Sequence, residues 1–382
     1  MIHLFCRDGI FLRTTRLHKV AMLLGAMTFL CVPLSEAVTM DGLYDAEVDI
    51  ASQSDENREA GIRAAFGQVL IKLTGDRRSL SQGPVQAAMA HANEYLQQYR
   101  FRDAPVLNND GTPTGANKQV LWAGFDANEV NQVLQNLNLP VWGKSRPLVL
   151  VWLAIEQQGQ RDIVDPAMNA GIKDAVEHFA HQRGLPVVFP LWDLEDQRQL
   201  QLTDVWGNFT ERIMAASARY RTNAVLVGRL VSQRAGDWRG RWTLYEQGNT
   251  SDFDASGSNA LDALAGGIDV ASDSLAQRYA QRLSAGASET LTMAVMGVDN
   301  FARYGTLIRY LQSLDVVTNL QVLEVKPTTV SLALALKGQR QGLQQIIMLG
   351  ELLAPADASA GENRVFTDEA SHGPDLFYRM TQ

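Results

Sequence analysis

The chain has 382 residues, and its 34 basic and 42 acidic side chains give a formal net charge of −8. This acidic excess argues against a nucleic-acid partner, because binding to a phosphate backbone requires a basic face. The length is ample for two or three domains, each with its own hydrophobic core.

The first 37 residues have the organisation of a secretory signal peptide. A basic segment at 13–19 precedes an apolar stretch at 20–32, and Ser35 and Ala37 form a small-x-small cleavage pattern. The apolar stretch is shorter than the roughly 20 residues that cross a bilayer. We predict cleavage after Ala37 and a periplasmic location, with an uncleaved membrane anchor or a folded helix as the alternatives.

Both cysteines of the chain, Cys6 and Cys31, lie inside this predicted signal. Cleavage after Ala37 would leave a cysteine-free chain in an oxidising compartment, stabilised by core burial alone. Thiol and disulfide chemistry are therefore excluded for the cleaved form.

Residues 38–145 are predicted to form an N-terminal α+β domain. Alternation at 43–50 indicates a half-solvated strand, and a helix follows, with Ser54 as its N-cap and Gly75 at its end. The further predicted elements are helices at 84–97 and 127–137 and strands at 98–103 and 118–125. Residues 139–147 are interpreted as a linker.

Residues 147–286 are predicted to form a central, mostly parallel three-layer α/β domain. Apolar runs at 148–155, 187–189 and 224–231 alternate with helical patterns at 168–183 and 209–221, which is typical of a parallel sheet covered on both faces. A meander at 238–247 and a long amphipathic helix at 261–283 follow.

Residues 287–355 follow the order β-α-β-β-α, which favours a small ferredoxin-like domain. Residues 356–382 are interpreted as a flexible tail, because 355–373 is rich in Ala, Ser, Gly and acidic residues. The segment 375–379 is able to return to the body. The fold class as a whole is multidomain α/β and α+β.

Ligands of open α/β sheets bind outside the carboxyl ends of the parallel strands. At that rim the sequence places four carboxylates, and we take them as the candidate binding site: Glu156, Asp193, Glu195 and Asp196. The positions 219 and 220 precede the third strand, so they are expected at the opposite rim. An acidic helix entry in solvent is the alternative interpretation.

Arginine and tryptophan alternate in the meander, where Trp238, Arg241 and Trp242 form a possible interaction surface for a glycan or peptide. Core packing of the two tryptophans is the simpler alternative.

Two further groups of polar residues allow alternative interpretations. His178 and His181 lie one helical turn apart, and Asp45, Glu47 and Asp49 share one face of a strand. A solvated surface is favoured over metal binding for both groups, because neither has the spacing of a zinc or calcium motif. The sequence also contains no Gly-x-Ser-x-Gly nucleophile motif and no phosphate-binding glycine loop. We therefore expect no cofactor, no metal and no catalytic residues.

Several segments resemble an exported proteobacterial family, domain of unknown function 2066. The resemblance extends over most of the chain after residue 37, and its most distinctive segments are 70–76 (LIKLTGD), 190–196 (PLWDLED), 216–220 (ASARY), 227–230 (VGRL) and the Trp238/Trp242 pair. That family has no assigned activity, so the resemblance implies no role for any residue.

The order of elements in 147–286 is also similar, at the level of the fold, to periplasmic envelope-assembly domains. Examples are the amino-terminal domain of the Tol-system β-propeller protein, the curli secretion lipoprotein and the outer-membrane activators of peptidoglycan synthases. This analogy implies a non-catalytic interaction or envelope-maintenance module with an envelope protein as its partner. A periplasmic hydrolase or a glycan- or solute-binding protein that uses the acidic rim is the alternative function.

Overall fold

Three larger β-sheets and the helices that cover them make up the fold. The computed structural model describes residues 38–109, 111–233, 237–282, 289–357 and 374–381, and the chain from Ser35 onward forms one unit. The predicted signal peptide and its cleavage at Ala37 lie outside the described residues. No helix in these ranges is long and apolar enough to cross a membrane.

The N-terminal sheet packs one face against the long helix α1. Its three strands are antiparallel in the order β2-β4-β3. Ser54 accepts a hydrogen bond from the N–H of Asn57, and Gly75 ends the helix with φ of 69°, so both predicted helix ends are confirmed. The elements are β1 (Val38–Thr39), β2 (Asp45–Asp49), α1 (Asp55–Thr74), a 3-10 turn (Arg77–Ser81), α2 (Gly83–Ala90), a second 3-10 turn (Ala92–Glu94), β3 (Leu96–Leu107), β4 (Pro113–Phe125) and α3 (Ala127–Asn136).

The central sheet has six strands, and the prediction that it is mostly parallel is wrong. Its order is β12-β11-β10-β7-β8, with β9 also on β7. Within the described residues β7 is parallel to β9 and β10, whereas the other pairings are antiparallel. The elements are β5 (Pro140–Val141), β6 (Ser145–Arg146), β7 (Val149–Gln157), β8 (Gln160–Ile163), α4 (Ala170–Gln182), β9 (Val187–Val188), α5 (Leu194–Gln199), α6 (Leu202–Gly207), α7 (Thr210–Ser217), a 3-10 turn (Ala218–Tyr220), β10 (Ala224–Ser232), β11 (Trp238–Glu246), β12 (Asn249–Gly257), α8 (Ala260–Tyr279) and β13 (Gln281–Arg282).

Two tight hairpins explain the antiparallel pairing of β8 and β12. Gln158 and Gly159 both have positive φ, 56° and 81°, and so do Gln247 and Gly248, at 46° and 77°. A two-residue hairpin turn with positive φ at both positions matches the twist of the flanking strands. The first turn adds β8 to β7, and the second adds β12 to β11.

Both faces of the central sheet are buried, each in a separate core. Alternate residues of β7 separate the two cores: Val149, Val151 and Leu153 pack on the side of α4 and α8. Leu150 and Trp152 pack on the opposite side, which α6 and α7 cover. The short helices α5 and α6 were not predicted.

The C-terminal sheet has the order β15-β16-β14-β18-β17. The order β-α-β-β-α occurs as predicted, but β18 lies between β14 and β17 and is parallel to β14. The ferredoxin-like description is therefore not confirmed. The elements are β14 (Glu289–Met296), α9 (Phe301–Ser313), β15 (Val317–Val325), β16 (Thr329–Leu336), α10 (Arg340–Leu349), β17 (Leu353–Pro355) and β18 (Leu376–Met380).

The predicted flexible tail at 356–382 differs from the structure at its end. Residues 358–373 lie outside the described residues, whereas Leu376, Tyr378 and Met380 are buried in the C-terminal core. Their alternation on β18 explains the difference, because it gives the strand one apolar face.

The segment predicted as a linker, 139–147, is a buried joint. Trp142 and Arg146 are 1% and 0% exposed. The Arg146 guanidinium donates to the carbonyl oxygens of Lys72 and Trp142 at 2.7 and 2.8 Å and also to that of Gly184 at 2.8 Å. Burial lowers the pKa of Arg146 to about 9. Arg146 thereby fixes the end of α1 against the end of α4.

Candidate functional site

Three of the four carboxylates of the predicted acidic rim, Asp193, Glu195 and Asp196, lie at the start of α5, within 4 Å of the Arg219 guanidinium. Asp193 is the N-cap of α5 and accepts from the backbone N–H groups of Glu195 and Asp196. Arg219 donates to both oxygens of Asp193, at 2.7 and 2.9 Å, and to Asp196 at 3.1 Å. The hydroxyl of Tyr220 donates to Asp196. The hydrogen bonds from Arg219 lower the pKa of Asp193, and burial raises the pKa of Tyr220.

Arg219 and Tyr220 were expected at the opposite rim from these carboxylates, and that expectation is wrong. The expectation that Glu156, Asp193, Glu195 and Asp196 share one rim of the sheet is also wrong. Tyr220 precedes β10, whose first residue Ala224 is level with Val149 at the start of β7. Glu156 lies seven residues further along β7, roughly 20 Å away at the rise of a strand. There it pairs with Arg161 of β8 at 2.6 Å. The strand β9 has two residues, so the chain leaves the sheet early, and α5 packs against α7.

The two tryptophans of the predicted interaction surface are part of the core. Trp238 and Trp242 are 9% and 0% exposed and pack under α8. A Cβ at Gly267 would lie 2.0 Å from the Trp242 ring, so the helix needs glycine there to approach the strand. Arg241 is exposed. The core interpretation is confirmed for the tryptophans.

A wide cleft brings together the two groups of residues that the sequence suggested separately. Its floor is the face of the N-terminal sheet that turns away from α1, and its wall is α4. We call it the α4 cleft, with a volume of about 590 Å³. It falls within the size range of ligand pockets, which often lie between domains. The side chains that line it include Asp45, Glu47, Lys72, Trp122, His178 and His181.

Lys72 is buried at the base of the α4 cleft. Its Nζ donates to the carbonyl oxygens of Gly42 and Asp45, both at 2.9 Å, and lies 4.0 Å from the Asp45 carboxylate. Burial lowers the pKa of Lys72 to about 8. The ammonium therefore holds the loop before β2 against α1.

His178 and His181 project from α4 at the mouth of the α4 cleft. Partial desolvation lowers the pKa of both imidazoles, and the carboxylates that oppose this are Glu47 for His178 and Asp45 for His181. The amide nitrogen of Gln182 lies 3.0 Å from His178 Nε2. Neutral imidazoles offer one donor and one acceptor each.

Gly42 lies beside both Asp45 of β2 and His181 of α4. A Cβ at this position would lie 3.4 Å from Asp45 Oδ1 and 3.5 Å from His181 Nε2. The two polar atoms therefore flank the same small space. Since Gly42 also has φ of 68°, any other residue there would be strained and would fill that space.

The floor of the α4 cleft is charged and aromatic. Glu47 lies beside Trp122 in the sheet register and pairs with Arg102 at 3.5 Å. The guanidinium of Arg100 lies 4.4 Å from the centre of the Trp122 ring. In the described part of the chain no group of three or more His, Cys, Asp or Glu side chains is arranged to hold a metal ion. The arrangement suits the binding of a polar, charged segment.

The comparison with protein families matches residues 37–143 to a domain of unknown function, DUF8605. The resemblance to domain of unknown function 2066 is not matched by that name. The matched stretch contains the floor of the α4 cleft but not α4 itself. Among curated proteins, none matches this chain.

Two solved structures are similar to parts of the chain. The C-terminal domain of LpoB from Salmonella enterica is 13% identical, with a TM-score of 0.22 over 29% of this chain and 82% of that domain. A crystal structure of an uncharacterized protein is 14% identical, with a TM-score of 0.17 over 35% of this chain and 90% of the other. These TM-scores are too low to establish a shared fold.

Proposed function

We propose that this chain is an exported, non-catalytic interaction module that holds a segment of an envelope partner protein in the α4 cleft. The observation that carries the proposal is the convergence of side chains from β2, β4 and α4 on one open space of about 590 Å³. The carboxylates of Asp193 and Asp196, by contrast, already have partners in the fold.

A binding role fits the chemistry of the α4 cleft better than catalysis. Lys72 has a lowered pKa, which is a common feature of catalytic lysines, but its Nζ donates to two backbone carbonyl groups. It supports the wall of the cleft from below. His181 projects from α4 and Asp45 from β2, and both lie next to Gly42, where each can bind a partner group.

The partner segment that fits this site carries a basic side chain. Asp41, Asp45 and Glu47 outnumber the two cations, Lys72 and Arg102, that also line the α4 cleft. The positive charge of Lys72 is directed into the backbone. Electrostatic complementarity of this kind sets the register of a bound segment more than its affinity.

Export depends on the first 37 residues. We propose that the signal is removed after Ala37, so that the protein accumulates in the periplasm. The intact mass of the accumulated protein should place its first residue at Val38. A mass that retains residues 1–37 would instead indicate a tethered form.

The test of the α4 cleft is site-specific photo-cross-linking in the native host. A photoreactive residue at Glu47 and another at His181 should give adducts with the same protein, because both positions line one cleft. The matched control is Glu195, which is exposed and acidic but lies on α5. Adducts of the same protein from Glu195, or different proteins from the two cleft positions, would refute the site.

The alternative function, a hydrolase or a glycan- or solute-binding protein that uses Glu156, Asp193, Glu195 and Asp196, stays a prediction. No observation favours it, because Glu156 lies apart from the α5 carboxylates and Arg161 pairs with it.

A further inference from the structure

Among the residues that the structure describes, β15, the outer strand of the C-terminal sheet, pairs only with β16 and so has a free hydrogen-bonding edge. Its nine residues are exposed or partly exposed along their whole length. The apolar side chains of Val322, Leu323 and Val325 are 36%, 53% and 61% exposed. An unpaired edge with exposed apolar residues is a template for another strand.

The other long edge strands in the described ranges carry like charges near their centres, where pairing with a second copy would oppose them. If two copies of β12 paired antiparallel about a two-fold axis at Phe253, Asp252 of one copy would lie opposite Asp254 of the other. On β2, a two-fold axis at Glu47 would place that carboxylate opposite itself. β3 carries Arg100 and Arg102 two positions apart on its edge. Like charges directly opposite each other destabilise a strand pair.

β15 has one charged residue, Glu324. Two bulges in β15 interrupt its pairing with β16 and leave one regular stretch between them. The bulges fall at Thr318 and Leu323, so the stretch 319–322 is in continuous register with β16. Leu320 and Val322 lie opposite the buried Leu334 and Leu332 of that strand. They therefore lie on the core side of the sheet.

A two-fold axis through Gln321 makes this stretch complementary to itself. Residues directly opposite each other in antiparallel strands share a face, so Leu320 would meet Val322 of the second copy on the core side. Gln321 would meet its own equivalent on the other side, and Glu324 would lie beyond the regular stretch. No like charges are opposed.

We propose that two copies of this chain associate through antiparallel pairing of β15, about a two-fold axis at Gln321. The pairing joins two five-stranded sheets into one of ten strands and covers Val322 in both copies. Four regular residues per strand give a small interface compared with the roughly 1,200 Å² of a stable complex. The dimer is therefore reversible and depends on concentration.

The test is analytical ultracentrifugation of the protein, purified in the form that accumulates in its host, at concentrations of about 1 to 100 µM. The wild type should shift from monomer to dimer in this range. Gln321→Lys and Gln321→Glu each place like charges on the axis, and each should weaken the dimer about tenfold or more. Gln321 is exposed, so the monomer fold should tolerate both variants.

An equal mixture of the two variants should restore the dimer, because Lys then faces Glu across the axis. The matched control is Thr250→Lys, on the edge strand β12, which should leave the dimer constant unchanged. A wild type that stays monomeric at the highest concentration overturns the proposal. So does a dimer that both variants leave intact, since its interface then lies elsewhere.

Discussion

Two acidic groups of the same unit, at α5 and in the α4 cleft, use their carboxylates in opposite ways. At α5, Asp193 caps a helix and Asp196 is buried, and Arg219 binds both. In the α4 cleft, the cation nearest to Asp45 is Lys72, and its Nζ donates to backbone carbonyl groups instead. Glu47 pairs with Arg102 at 3.5 Å, and Asp45 lies 4.0 Å from Lys72 Nζ. A cluster of acidic residues is therefore structural where the fold supplies short hydrogen bonds to its oxygens, and more available for binding where its ion pairs are longer.

The largest expected effect is at the buried carboxylate of α5. Asp196→Ala removes the acceptor of the Tyr220 hydroxyl and of the Trp192 N–H and leaves Arg219 with one partner fewer. Removing one member of a buried ion pair costs about 3 kcal/mol, measured as the free energy of unfolding in urea. The exposed neighbour Glu195→Gln is the control and should change it little. Equal losses in the two variants would contradict the structural role of Asp196.

The next effect concerns the cation beneath the α4 cleft. Lys72→Met leaves the carbonyl oxygens of Gly42 and Asp45 without their donor, which costs about 1 to 2 kcal/mol. In the wild type, the pKa of Lys72 is lowered from 10.5 to about 8, so the unfolded chain binds this proton more tightly. The stability contributed by this site therefore rises as the pH increases from about 8 to 10.5.

Lys72→Met should remove this rise, which is measured as the difference in unfolding free energy between wild type and variant at each pH. The exposed lysine of β4, in Lys118→Met, is the control, because it pairs with Asp49 at the surface. A difference that stays constant across this pH range would show that Lys72 keeps an ordinary pKa.

A smaller effect is expected at acid pH from the two histidines. The pKa of both His178 and His181 is lowered from 6.5, so the unfolded chain takes up protons first as the pH falls below 6.5. Stability is therefore lost as the pH falls through this range. The double variant His178→Gln/His181→Gln should lose less stability than the wild type between about pH 7 and 5. His91→Gln, at an exposed site of the N-terminal block, should behave like the wild type.

The smallest effect on stability separates binding from folding. Glu47→Gln removes one partner of a solvent-exposed ion pair with Arg102. Such pairs contribute about 0 to 1 kcal/mol to the free energy of unfolding. The free energy of unfolding should stay nearly constant, while the adduct captured from His181 should be lost. A retained adduct would show that the carboxylate of Glu47 does not contact the partner.

Local signals predicted local structure well. Ser54 and Gly75 bound α1 as expected, because a side-chain cap and a left-handed glycine act within one turn of the helix. The helix predicted at 84–97 is too long, since α2 ends at Ala90 and β3 begins at Leu96. The turn at Gln158 and Gly159, and with it the antiparallel strand β8, was missed because glutamine at positive φ is uncommon.

Local signals did not predict the candidate site, because its residues come from distant parts of the chain. His178 and His181 were interpreted as a solvated helix face, and Asp45 and Glu47 as a solvated strand face. More than 120 residues separate the two groups in the chain. What places them opposite each other is the joint at Trp142 and Arg146, which the sequence suggested only as a linker.

The amino-acid sequence by itself determined the mixed α/β composition, most helices and strands, and the acidic balance of the chain, because these depend on neighbours a few residues apart. Only the tertiary structure decided which carboxylates accept short hydrogen bonds from a guanidinium, as Asp193 and Asp196 do, and which have longer ion pairs, as Asp45 and Glu47 have. The guanidinium groups of Arg146 and Arg219 find their acceptors across distant segments, so the availability of Asp45 and Glu47 depends on packing that no local pattern encodes.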